Sequence, residues 1–325
     1  MTKKIFLLGF LLMGVSKLGN CQFMYDTLYY QKQFDRPMIS VYQQAYKYNL
    51  IISSNKPKEP IINYQAESLN EIGVSYSKNK FSVGLNLFGS PPLDEARKIK
   101  TRFFNLGATY CDKNYLKEFN LQWLRGFYDI NHLRNPSQKS ANPAFFQNPN
   151  LNIINIKYTG TRFTNYKHFS YNAVSRGLHK QNKTSSSFLY SSQYAFQHIN
   201  SKSIIPDSLK RFYDNYKELR ASNNFSISGS IGYTVTLVLA KSFFINGYAN
   251  IGIGLSDNIL IFSDRPYVNL TQLTSQGGTK FSFGYHGPHW FIISSSNFDI
   301  NFIEVKRISL NFQTLKNVLS AGYRF

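Results

Sequence analysis

The chain has 325 residues and carries 37 Lys and Arg against 17 Asp and Glu, a formal charge of +20. Its two cysteines exclude a disulfide-framed scaffold, and after the first roughly twenty residues no run of about eighteen apolar residues offers a membrane-crossing helix. Basic charge with 28 Phe and 23 Tyr is compatible with nucleic-acid binding, but the start of the chain argues for export and against that partner.

Met1-Thr2-Lys3-Lys4 is a basic start, 5–15 is an apolar core, and 16–21 brings small residues near an exit. That is the layout of a secretory signal peptide, with a core too short to span a bilayer. Cleavage is expected after Cys21, so that 1–21 is the signal and Gln22 the new N-terminus. The alternative is a lipoprotein box, Leu18-Gly19-Asn20-Cys21, with Cys21 acylated; Asn20 is bulky for such a box. With the signal removed, Cys111 is the remaining thiol and no internal disulfide can form. Residues 22–37 are polar, end on Pro37, and read as a periplasmic lead-in to a barrel over 38–325.

The first strand is expected over 38–52, followed by a loop over 53–67 with Asn55, Pro57 and Pro60. Residues 69–77 and 80–88 form the clearest hairpin: Phe81, Val83, Leu85 and Leu87 alternate with Ser82, Gly84 and Asn86. After a loop at 89–100, strands are expected over 101–111 and 115–130. A long extracellular loop at 131–150, holding Pro136, Pro143 and Pro149, precedes a hairpin of 151–162 and 166–178. There Ile154, Ile156 and Tyr158 oppose Asn155, Lys157 and Thr159. The polar stretch 179–185 leads to a strand over 186–199, and 200–224 reads as a loop with a short surface helix. Strands at 225–239 and 241–255 alternate over about fifteen residues, more than the nine to eleven that cross a membrane. A loop at 256–278, a hairpin of 279–285 and 290–302, and an ambiguous stretch at 304–315 lead to the last strand, 317–325.

In that last strand Leu319, Ala321, Tyr323 and Phe325 take one face, and Ser320, Gly322 and Arg324 the other. Apolar outward and small or polar inward suits a wall between lipid and a wet lumen. The strand resembles the carboxy-terminal insertion signal of bacterial outer-membrane barrels, which implies the barrel-assembly machinery as a partner. The expected fold is all-β: an antiparallel, transmembrane, up-and-down β-barrel of about 12 strands, with ten or fourteen open. It is expected in the cell outer membrane as a monomer, in contact with lipid and lipopolysaccharide. A mean hydropathy of −0.31 does not oppose this, because half of each barrel strand is polar.

Several short stretches carry a wider resemblance: Tyr25-Asp26-Thr27, 80–87, Arg125-Gly126-Phe127-Tyr128, Phe169-Ser170-Tyr171-Asn172-Ala173, Ser203-Ile204-Ile205-Pro206, 227–233 and Gly322-Tyr323-Arg324-Phe325. In this order they are similar to the outer-membrane family catalogued as domain-of-unknown-function family 4421. The resemblance implies a signal-bearing outer-membrane barrel with no known activity, and transfers no catalytic residues.

No catalytic residue, cofactor or metal is expected from the residues themselves. Of the histidines His132, His168, His179, His198, His286 and His289, only the last two are close, flanking Gly287-Pro288, and they lack a neighbouring Cys or carboxylate. No Gly-x-Ser-x-Gly elbow occurs, so an enzyme acting on lipid or lipopolysaccharide is the alternative to a structural, channel or binding barrel. Lys157, Arg162, Lys280 and Arg324 fall on the expected inner face. In an open lumen they favour anions; in a plugged one they pair with carboxylates.

Overall fold

Chains that alternate small or polar side chains with apolar ones make two-faced strands, and a sheet of such strands that curls shut leaves no unpaired edge. The computed structural model shows this closure. It describes residues 25–32, 37–54, 59–66, 69–78, 80–89, 101–112, 114–133, 145–305 and 308–325. The expected signal at 1–21, with Cys21, lies outside the described residues.

In chain order the strands are β1 (Tyr30–Lys32), β2 (Met38–Ser54), β3 (Ile62–Gln65), β4 (Leu69–Lys78), β5 (Phe81–Gly89), β6 (Arg102–Cys111), β7 (Tyr115–Leu133), β8 (Phe145–Phe163), β9 (His179–Gln181), β10 (Ser185–Asn200), β11 (Leu219–Leu239), β12 (Phe243–Phe262), β13 (Val268–His286), β14 (Trp290–Val305) and β15 (Ile308–Arg324). A helix, α1 (Tyr171–Arg176), precedes β9, and two 3-10 turns, Asp207–Phe212 and Asp214–Tyr216, precede β11. Twelve strands form one antiparallel ring. β15 pairs with β14 on one side and with β2 on the other, from Arg324 opposite Met38 to Ile308 opposite Ser54. The tight turns lie at the end of the ring holding Met38 and Arg324, which is the periplasmic end by the rule of short periplasmic turns.

The expected count of twelve holds, though not from the expected strands. Of the segments expected at 304–315 and 317–325, Glu304 and Val305 end β14 and Ile308–Arg324 are one strand, β15, while 166–178 is not a strand. Most of 256–278 is strand: β12 runs on to Phe262 and β13 starts at Val268. β8 likewise starts at Phe145, inside the expected loop at 131–150.

The cause is a swap of the apolar face. Near the periplasmic end of β2, Ile39 and Val41 point out while Ser40 and Gln44 are buried inside; higher up, Lys47 points out while Leu50 and Ile52 are buried inside. The lower half is thus built for lipid outside, the upper half for water outside. Ile251, Ile253 and Leu255 on β12 are 69, 72 and 58 % exposed, which no water-facing strand would favour. Cross-strand ring pairs stand on the same outer face near the periplasmic turns: Phe81 with Tyr110, Phe188 with Tyr233, and Phe243 with Tyr285 at 5.0 Å, and Trp290 with Tyr323 at 4.7 Å. Such a girdle marks the membrane interface.

One seam of the ring is incomplete. β5 and β6 pair over only three residues, Phe81–Val83 against Ala108–Tyr110. Above them β5 continues along β4, and β6 along β7, with no pairing to each other among the described residues. The wall closes again higher up, where β3 pairs with both β2 and β7, placing Tyr64 and Gln65 opposite Asp129 and Tyr128.

Candidate functional site

Two seals divide the lumen. In the upper half, inward apolar side chains from around the ring, among them Leu50, Leu124, Ile153, Leu260 and Leu310, form one buried cluster. The segment between β10 and β11 folds into it: Ile204, Ile205, Leu209 and Tyr213 are buried there. Tyr213 Oη contacts the carbonyls of Pro60 at 2.7 Å and Ile52 at 3.1 Å, and Tyr64 Oη donates to the Ile204 carbonyl at 2.8 Å. The expected surface helix is therefore a cap set into the extracellular mouth.

The lower seal is the stretch expected to be a strand at 166–178. Phe169, Ala173 and Val174, at helical rather than alternating spacing, are buried with Leu178 against Phe163, Leu189, Phe244 and Phe291 of the wall. Gly177, at φ 68°, ends α1 in the left-handed conformation. β9 then pairs with β1, so the expected periplasmic lead-in at 22–37 supplies a strand to the plug.

Arg324 latches this plug to the barrel. Fully buried, its guanidinium donates to the Gly177 carbonyl at 2.7 and 2.9 Å, to the Gly287 carbonyl at 2.8 Å, and to His286 Nδ1 at 3.0 Å. His286 Nε2 in turn donates to the Ala173 carbonyl at 2.7 Å, while His289 stacks on Tyr323. The two histidines flanking Gly287-Pro288 thus do different work and form no pair. Within the plug Ser170 Oγ meets His179 Nδ1, both side chains buried. Burial, and then the nearby charges of Lys32 and Arg176, push the His179 imidazole well below its usual value of 6.5.

Between the seals lies a polar cavity of about 400 Å³. Lys157, Lys280 and Lys316 line it together with Glu118 and Asp299. Register places Lys280 of β13, Asn297 of β14, Lys316 of β15 and Tyr46 of β2 side by side across four strands, so the two ammonium-bearing strands are roughly 10 Å apart. Lys157 stands 3.9 Å from Asp299. Lys280 donates to Tyr171 Oη of the plug at 3.1 Å, and Lys316 lies over the Tyr46 ring at 5.0 Å. Among the described residues neither Lys280 nor Lys316 has a carboxylate within ion-pairing distance.

Of the four basic residues expected inside, Lys157 and Lys280 line the cavity, and Arg324 points inward but serves the plug. Arg162 is corrected: it is exposed, over the Tyr115 ring at 5.6 Å. It lies five positions from Lys157, and an odd step in a strand reaches the opposite face. Leu319, Ala321 and Phe325 are exposed on the outer face, with Tyr323 half-buried beside them. Lys316 falls between the segments expected at 304–315 and 317–325, where one strand runs; its even phase with Ser320 and Arg324 is the sequence signal that marks it.

A side chamber of about 240 Å³ shares Tyr46, Asn120 and Lys316 with the main cavity and reaches the open seam between β5 and β6. Its wall is a polar chain. Tyr42 Oη donates to Asn86 Oδ1 at 2.6 Å, Gln44 and Asn86 both contact Glu71, and Asn105 donates to Tyr46 Oη at 2.8 Å.

A closed antiparallel ring with a greasy outer band, an aromatic girdle and a polar interior defines an integral β-barrel of the outer membrane, here occluded by its own chain at both ends. The chain belongs to the family described as domain of unknown function (DUF4421), whose model matches residues 24–325. No curated protein matches it in sequence. Among solved structures it is similar to the outer membrane protease OmpT from Escherichia coli, with TM-score 0.40 and 6 % identity, covering 91 % of this chain and 98 % of that one. It is also similar to the toluene transporter TodX of Pseudomonas putida (TM-score 0.30, 8 % identity, 90 % of each chain) and to a Pseudomonas aeruginosa FadL homologue (TM-score 0.28, 8 % identity, 90 % of this chain and 91 % of that one). Similarity at these scores carries no argument about role.

Proposed function

We propose that this barrel is a binding barrel, not a standing pore, and that the ligand is a small anion or anionic group held in the cavity between the two seals. The observation that supports this is the pair Lys280 and Lys316: two lumenal lysines without ion-pair partners among the described residues, in a wall with three lysines against two carboxylates. A buried charge is costly unless something compensates it, and an anion bridging the two lysines would do so. The Ser170–His179 contact is enclosed in the plug, away from lipid, which does not favour a hydrolase acting on lipid.

The barrel is further proposed to be monomeric, with lipopolysaccharide around it and with Leu319, Ala321, Tyr323 and Phe325 presenting the strand read by the barrel-assembly machinery.

The test has two parts. Purified barrel in a planar bilayer should show no steady conductance. Calorimetric titration with inorganic phosphate should show saturable binding that weakens at least about tenfold, roughly 1.4 kcal/mol, in Lys316→Met. Large ohmic steps, or phosphate heats indifferent to Lys316, would reject the reading.

A further inference from the structure

The unpaired seam between β5 and β6 lies where a barrel can least tolerate it. The Phe81–Tyr110 pair marks the interface, and the seam opens past Val83 and Ala108, inside the nine to eleven residues that cross hydrocarbon. Bare strand edges there would leave backbone N–H and C=O groups facing lipid, which membrane proteins avoid except beside protein or a water-filled cavity. Such a cavity is present: Gly84, Asn86, Asn105 and Gly107, from the two facing strands, line the side chamber that joins the lysine-bearing cavity. On the lipid side the same two strands present exposed apolar residues, Val83 and Leu85 on β5 and Phe104 and Leu106 on β6.

We propose that this slot is a lateral portal, through which an amphiphile lodges an anionic headgroup among Lys280 and Lys316 while its alkyl tail stays in the membrane against Val83, Leu85, Phe104 and Leu106. The proposal rests on the binding reading above and specifies its ligand. Three features agree. The two ends of the lumen are sealed by apolar clusters, so among the described residues the side wall is the open approach. The rim changes from apolar outside to polar inside within the thickness of one strand. The wall of the side chamber leads from Asn86 by Gln44 and Tyr46 to Lys316, each step a hydrogen bond or a ring contact, with Asn105 donating to Tyr46 beside it. Phosphate and carboxylate headgroups share the required chemistry.

The experiment uses the full mature chain in phosphatidylcholine nanodiscs, with dodecyl phosphate carrying a diazirine at the tail end as the probe. Cross-links mapped by mass spectrometry should concentrate on Val83, Leu85, Phe104 and Leu106. They should fall about tenfold in Lys280→Met/Lys316→Met and in Gly107→Trp, each variant retaining the heat-modifiable gel shift of a folded barrel. A Cβ on Gly107 meets its nearest atoms, Asn120 Nδ2 and the Phe119 carbonyl, at 4.0 Å, an ordinary contact without a clash, so a side chain there is directed into the slot without displacing backbone. Excess unlabelled dodecyl phosphate should compete, and dodecyltrimethylammonium should not. Cross-links spread evenly around the belt, or concentrated at the rim but indifferent to the lysines, would overturn the portal. Inorganic phosphate titration separates the two readings: lysine-dependent phosphate binding with an even belt keeps the cavity and removes the portal, and no phosphate binding removes the cavity reading itself.

Discussion

At the scale of single residues, two side chains decide whether the lower seal stays in place. Arg324 gives its donors to two carbonyls and one imidazole, and ties Gly177 of the plug to Gly287 of the barrel. Arg324→Met keeps the bulk and removes the donors, leaving those buried acceptors unsatisfied. The expected loss in plug docking is about 3 kcal/mol, read as faster amide exchange over 164–184 with the barrel strands unchanged. His179 makes docking depend on pH. Its pKa is depressed in the docked plug, whereas a released plug titrates near the ordinary value of about 6.5. The released state therefore binds more protons at low pH, so docking is fully present above about 6.5 and weakens as the pH falls below it. Limited proteolysis of the plug should rise between about pH 7.5 and about pH 5, and His179→Gln should flatten that rise. A plug equally resistant at both pH values would refute this. Neither role was legible in the sequence, because Arg324 and Gly177 are 147 positions apart and a period-two reading says only that Arg324 points inward.

At the scale of elements, the strands that cross lipid were legible and those above it were not. Residues 69–89 and 225–255 alternate with apolar residues outward because hydrocarbon demands it. Above the belt the apolar face turns inward, so Asn258, Leu260 and Phe262 are buried while Ile261 is exposed; a single rule of polar-in and apolar-out then reads loop where there is strand. The plug failed for a related reason: Phe169, Ala173 and Val174 are apolar and closely spaced, but their partners lie inside the barrel. The sequence reading also placed two of the three cavity lysines and missed the seam, since pairing between strands leaves no mark in local composition. The cap offers a test of this layout. Tyr213→Phe removes the hydroxyl contact with Pro60 and Ile52 and keeps the ring in its apolar cluster. It should weaken the cap by about 1 kcal/mol, seen as faster exchange over 201–218 with unchanged exchange in the plug. Equal acceleration in both segments would mean that the two seals are one cooperative unit.

At the scale of the whole molecule, the seals act in series, and their chemistry differs. The plug is a separate stretch of chain resting against the wall, held by a latch of hydrogen bonds. The upper seal is partly the wall itself: Leu50, Ile52, Leu124, Leu260 and Leu310 belong to ring strands and would still fill the mouth if the cap were cut away. Ion flow needs a continuous wet path, and an apolar constriction blocks it by dewetting even without a steric stopper. Releasing the plug with Arg324→Met should therefore give no current, and excising residues 204–216 should give none either. Polar replacement of the upper wall, Leu50→Ser with Leu310→Ser, together with both of those changes, should give current in brief steps. A preference for anions in those steps would follow from Lys157, Lys280 and Lys316 at mid-lumen. Steady current from Arg324→Met alone would show that the upper cluster is no barrier and that the barrel is a gated channel whose gate is the plug.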